Sequence, residues 1–159
     1  MNNNLRKKLN RIDVSKCRLK NGNTIEEELK QHAEILAECL NDALVDVYES
    51  YTPSVYRRTY GLMQSVEVGD IKVIIYSGKA NLSIKVGFND NAVHTGLDGK
   101  DANVAVLLNE GWQHKNGATP YFSYRDGEHF IEKAVEMYKL RVTKPFKVKI
   151  NINGEVTVL

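Results

Sequence analysis

The stretch Thr24-Ile-Glu-Glu-Glu-Leu-Lys-Gln-His-Ala-Glu-Ile-Leu-Ala-Glu-Cys-Leu-Asn-Asp-Ala-Leu-Val-Asp-Val-Tyr-Glu-Ser-Tyr51 decides the fold. Thr24 and Glu27 have the spacing of a capping box, and Glu26 and Glu28 add negative charge to the first turn, where the helix dipole favours it. Leu29, Ala33, Leu36, Leu40, Ala43, Val47 and Tyr51 then recur at steps of three and four. That periodicity predicts an amphipathic helix over 24–51, roughly 40 Å long. Cys39 borders the apolar stripe and reads as a small packing residue. Pro53 stops the helix, because proline fixes its own φ and biases its predecessor away from helix. A helix of this length either packs across a sheet or projects toward another subunit, and packing accounts for most of its stripe.

The sheet is found downstream. Ile71–Tyr76 is rich in β-branched residues, and Leu82, Ile84, Val86 and Phe88 alternate with Ser83, Lys85 and Gly87. Residues 77–81 make the hairpin connection. The polar run from Asn89 to Asp101 lacks the spacing of an EF-hand and reads as a surface loop. Ala102–Glu110 predicts a short helix ended by Gly111, and Asp126 a cap for a further helix over Glu128–Leu140. Phe146–Ile152, an Asn153-Gly154 turn and Glu155–Leu159 form a closing hairpin. The class is α+β: a long N-terminal helix packed on an antiparallel sheet, two shorter helices and a C-terminal β-hairpin. A basic arm over 1–22 precedes a single domain over 23–159.

Composition sets the bounds. With 159 residues, 42% hydrophobic and 26% charged, the chain has the make-up of one globular domain. Val73–Tyr76 and Val104–Leu108 are too short to span a bilayer, and no apolar segment follows the basic N-terminus as in a secretory signal. The expectation is therefore cytoplasmic synthesis without membrane contact. Cys17 and Cys39 read as free thiols. The net charge of +2 hides an asymmetry. Arg6, Lys7, Lys8, Arg11, Lys16, Arg18 and Lys20 face a single acid, Asp13, in residues 1–22. The rest of the chain holds 15 of the 22 basic groups against 19 of the 20 acidic ones. Arg6, Lys7, Lys8 and Arg11 are candidate contacts to phosphate or to an acidic partner, with Leu5, Leu9 and Ile12 forming an apolar stripe beside them. Any DNA contact of this kind is non-specific.

The sequence offers no catalytic device. His32, His94, His114 and His129 form no H-E-x-x-H and pair with no cysteine at metal-ligand spacing. Glu110 and His114 stand four apart, but Gly111 and Gly117 mark that stretch as loop. There is no nucleophile elbow and no glycine-rich phosphate loop. No enzyme activity, cofactor or metal is expected. Arginine beside tyrosine at Tyr56, Arg57, Arg58 and Tyr60 is the composition of a protein–protein contact.

Tyr56-Arg-Arg-Thr-Tyr-Gly-Leu-Met-Gln-Ser65 resembles the Tyr-x-Arg-Thr-x-x-Leu-x-x-Ser motif of the small tail-component proteins of long-tailed bacteriophages. Leu107-Leu-Asn-Glu-Gly-Trp112 is similar to that family's short helix ending in Glu-Gly. Tyr121-Phe122 followed by Phe130-Ile-Glu-Lys-Ala134 matches its aromatic-then-helix close. The similarity runs from about residue 25 to 140. Many members have glycine directly after the threonine; here Tyr60 stands in that place and glycine follows at 61.

The resemblance implies a structural protein of the neck or head-proximal tail end of a phage, prophage or phage-tail-like particle. It implies a ring, commonly sixfold, that completes the tail or joins it to the head beside neighbouring head or tail proteins. On that reading Tyr56, Arg57, Arg58, Tyr60, Glu110 and Trp112 are subunit-interface candidates, while Leu62 fills the core and Thr59 caps a short helix. A minor capsid or head-closure component is an alternative of the same class. A nucleic-acid-binding accessory protein using the basic arm is the rival from another class.

Overall fold

The computed structural model describes Lys16 and residues 18–50, 60–76, 79–95, 99–113 and 124–159. Helix α1 spans Ile25–Glu49. Its capping box is complete: Glu27 N donates to Thr24 Oγ1 at 3.1 Å, and Thr24 N donates to Glu27 Oε2 at 2.7 Å. At the other end the Ser50 amide donates to Asp46 O and its hydroxyl to Val47 O. Tyr51, Pro53 and Thr59 lie outside the described residues.

Strands β1 (Val66–Val68), β2 (Lys72–Tyr76) and β3 (Lys79–Phe88) follow. Both β1 and β2 pair with β3 antiparallel, yet not in one register. Val68 faces Val86 and Lys72 faces Ser83, so Gly69, Asp70 and Ile71 oppose only Ile84 and Lys85. This is a β-bulge, which bends the strand and adds twist. Gly69 N donates to Lys85 O at 2.8 Å across it. Because Tyr76 pairs with Lys79, only Ser77 and Gly78 connect the two strands, a shorter link than the sequence predicts.

A 3₁₀ turn (Asp90–Ala92) leads to β4 (Val93–Thr95) and β5 (Asp101–Asn103), which pair with one another. The polar segment expected to be loop is thus in part a hairpin. All three β4 side chains are exposed, so no alternation of apolar and polar residues marked it. Helix α2 (Val104–Glu110) starts from Asn103, whose side chain accepts from the amides of Ala105 and Val106. Gly111–Gln113, expected to be loop, forms β6 and pairs with β7 (Tyr124–Asp126). Helix α3 spans Phe130–Arg141 and does not start at Glu128; Asp126, expected to cap it, closes β7 opposite Gly111. The chain finishes with β8 (Val148–Ile150) and β9 (Val156–Val158), the expected hairpin with shorter strands.

The main sheet has β9 on the other edge of β3, with β8 outside it. Helix α1 crosses this sheet, with α3 packed along it. Its buried face carries the predicted stripe from Leu29 to Val47 and adds His32, Cys39 and Leu44. Against it stand Ile84, Val86, Val156 and Val158 from the sheet, and Phe130, Ile131, Ala134 and Tyr138 from α3. Each large aliphatic side chain in this core contributes ~1.5–3 kcal/mol by leaving water. Leu62 is buried with them, as expected. Outside the core, Arg141 forms ion pairs with Asp42 and with Glu38, tying the end of α3 to α1.

Candidate subunit interface

Of the interface candidates, Tyr60, Glu110 and the backbone of Trp112 are described; Tyr56, Arg57, Arg58, Arg6, Lys7, Lys8 and Arg11 lie outside the described residues. Tyr60 is exposed on the turn before β1, its ring 5.5 Å from that of Tyr48 on α1. Its φ is +57°, a left-handed conformation that costs a side-chain-bearing residue roughly 1–2 kcal/mol. Ser65, at the end of the same turn, is buried, and its hydroxyl donates to Leu62 O at 2.6 Å. Glu110 and Trp112 stand at the junction of α2 and β6. Tyr60 and Glu110 share no hydrogen bond, ion pair or ring contact, so the described candidates occupy separate places.

The Glu-Gly junction is a latch. Gly111 has φ +81°, and a Cβ there would lie 2.5 Å from Arg125 O. A Cβ on Gly127 would lie 2.4 Å from Asn109 O. Two backbones therefore touch where only glycine fits. Buried Asn109 uses its whole amide here. Its Oδ1 accepts from Ile131 N at 2.9 Å, and its Nδ2 donates to Glu110 at 3.0 Å and Glu132 at 3.3 Å. Leu108 O and Asn109 O accept from Glu128 N and His129 N. His129, at the helix N-cap, is left-handed and supplies no side-chain cap. Asn109 caps α3 from a different element, an arrangement that no local sequence signal announces.

His32 was also missed as a structural residue. Its Nδ1 lies 2.7 Å from the Tyr138 hydroxyl, and its ring meets Phe146 edge-on at 4.6 Å. Phe146 N donates to the same hydroxyl at 3.0 Å. Glu28 Oε1 lies 3.7 Å from Nε2, and this carboxylate favours the proton on Nε2, the tautomer in which Nδ1 accepts from the hydroxyl. Burial pushes the imidazole below its ordinary pKa, and the Glu28 carboxylate opposes that in part. Burial likewise raises the Tyr138 and Cys39 pKa values. These groups lock α1, α3 and the segment leading to β8 together. No cluster of three metal-ligating side chains occurs among the described residues, nor a helix long and apolar enough to cross a membrane.

A run of three exposed apolar side chains lies on the ribbon of β2 and the first half of β3. Val73, Ile74 and Ile75 are 42%, 59% and 48% exposed. β9 pairs with β3 only over Ile84–Val86, so the ribbon is two strands wide beyond that point. An exposed edge of three consecutive β-branched residues is a template for pairing with another chain. Across the ribbon lies a groove of about 500 Å³, lined by Ile25, Leu29, Phe146, Leu159 and residues 80–82 of β3.

A family model, YomN, matches residues 3–149, nearly the whole chain. The chain belongs to the YomN family. YomN is a Bacillus phage- and prophage-associated family, and the chain is accordingly phage-related. No curated protein and no solved structure matches it.

Proposed function

We propose that this YomN-family chain is a structural, non-enzymatic subunit of a phage or prophage particle. It closes into a ring, sixfold as the resemblance implies, at the neck or the head-proximal end of the tail. The observation that carries this reading is the ribbon: Val73, Ile74 and Ile75 stand exposed on an edge strand that a chain working alone would be expected to protect. Membership of a phage-associated family supplies the setting. The left-handed Tyr60 gives further support, since it occupies the place where the resembling tail-component proteins commonly have glycine. The Glu110-Gly111 pair supports it too, because the glycine is needed for the close approach to Arg125.

The test is removal of this reading frame from a phage that carries it. The reading predicts filled heads and separate tails that fail to join, with the protein present in purified wild-type particles. Normal infectious particles from the deletion would refute it. The nucleic-acid reading instead predicts tight, steeply salt-dependent DNA binding by the purified chain and its absence from particles.

A further inference from the structure

We propose that strand β2 of one copy adds to the open edge of β3 at residues 79–83 of the next copy. Its apolar side chains would close the groove over Ile25, Leu29, Leu82 and Phe146. The identity of the occupant, a second copy, rests on the self-assembly reading; the location rests on geometry. The two-stranded ribbon has two free edges among the described residues: β2 pairs only with β3, and β9 stops at Ile84. The free stretches match in length, since β2 is five residues long and faces Lys79–Ser83 residue for residue.

Faces match as well. Val73 is paired with Leu82 and Ile75 with Ala80, and directly opposed residues share a face of an antiparallel sheet. Residues 80–82 all line the groove, and its apolar β3 members, Ala80 and Leu82, share a face with Ile75 and Val73. Copies related by rotation about an axis along the ribbon hold their β2 strands parallel. An incoming β2 then runs antiparallel to β3, the pairing it already makes within its own chain. Its Val73 and Ile75 land on the groove.

Charge agrees with this placement. Exposed Lys72 and Lys79 ride on the ribbon, while Glu26, Glu27 and Glu28 fill the first turn of α1, whose Ile25 and Leu29 line the groove. The donor edge and the receiving groove are different surfaces. The contact is therefore heterologous, the kind that closes into a ring when the rotation permits. It is recognition by strand addition, with main-chain bonds giving affinity and the groove giving register.

The test uses two full-length variants, Ile74→Cys and Asn81→Cys, each with Cys17→Ser, and a short bifunctional thiol reagent. Both positions are exposed and directly opposed across the ribbon, and Asn81 also lines the groove. In an assembled ring a new thiol on β2 lies one strand from the other variant's thiol but two strands from its own kind. The proposal predicts several-fold more cross-linked dimer in the mixture than in either variant alone, and conversion of the wild-type oligomer to monomer by Ile75→Lys, which puts a charge on the face that meets the groove. Oligomers that form without this cross-link would overturn the interface and leave self-assembly standing. Monomers without it would overturn both. An intrachain link between Asn81→Cys and a retained Cys17 would give the groove to the chain's own arm and overturn the proposal.

Discussion

The hydroxyl of Tyr138 accepts a hydrogen bond from the Phe146 amide and is itself hydrogen-bonded to Nδ1 of His32, joining α3 to α1 across 106 residues of sequence. One phenol oxygen thus satisfies a buried imidazole and a partly buried amide. Tyr138→Phe strands both, and an unpaired buried polar group costs ~1–3 kcal/mol. We expect a loss of about 2–4 kcal/mol by urea unfolding, more than the deletion of one hydrogen bond alone would give. A loss below half a kcal/mol would contradict the arrangement.

The same ring sets a pH dependence. Folding depresses the His32 pKa below its ordinary value of 6.5, so the unfolded chain binds more protons there than the folded one. Its contribution is full above that value and is lost as pH falls through the folded pKa. Glu27, Glu28 and Glu155 have depressed pKa values too, and their contributions fade only below the ordinary carboxylate value of 4.5. Between about pH 7 and 5 the wild-type chain should therefore lose stability faster than His32→Gln. Parallel curves for the two proteins would show that His32 is not held neutral by folding.

Asn109 should be the most sensitive polar residue of the α2–α3 junction. Asn109→Ala removes the acceptor for Ile131 and frees two carboxylates from their shared donor. Loss of a cap costs ~0.5–2 kcal/mol, and burial places this one at the upper end or above. Gly127→Ala forces a Cβ against the Asn109 carbonyl and should cost at least as much. Chemical denaturation of both variants checks this. An unchanged midpoint in either would remove the latch.

Tyr60 gives an inverted prediction. In ordinary backbone, alanine is more stable than glycine by roughly 0.5–1 kcal/mol. At φ +57° the order should reverse, so Tyr60→Gly is expected to be more stable than Tyr60→Ala by about 1 kcal/mol. Melting temperatures of the pair decide it, and the ordinary order would mean that the turn is not left-handed.

Cys39 is fully buried on α1, and its thiol pKa is raised. It should react with a thiol reagent only on unfolding, and labelling in the native protein at the rate of a free thiol would contradict its place in the core.

What the sequence made legible is what short-range physics controls. The capping box at Thr24 and Glu27, the apolar stripe of α1 and the Asn153-Gly154 turn all depend on neighbours within a few residues, and each was readable in advance. The α3 cap was not, because Asn109 reaches it across 22 residues while nearby Asp126 offered a false local signal. The β4–β5 hairpin was hidden by exposure, and β6 by a glycine that serves a close approach rather than a loop. Of the candidate interface, the motif around Tyr60 was legible as a pattern. The ribbon and its groove were not, since Val73, Ile74 and Ile75 read from sequence simply as a strand, and their exposure follows from the place of β2 at an edge of the sheet.

The central claim is self-assembly through a surface the monomer leaves open. Light scattering with negative-stain electron microscopy on the purified chain, across a concentration series, addresses it most directly. The account predicts closed rings with a central hole and a hexameric mass, replaced by monomer in Ile75→Lys. A compact monomer at every concentration of the wild-type chain would contradict it.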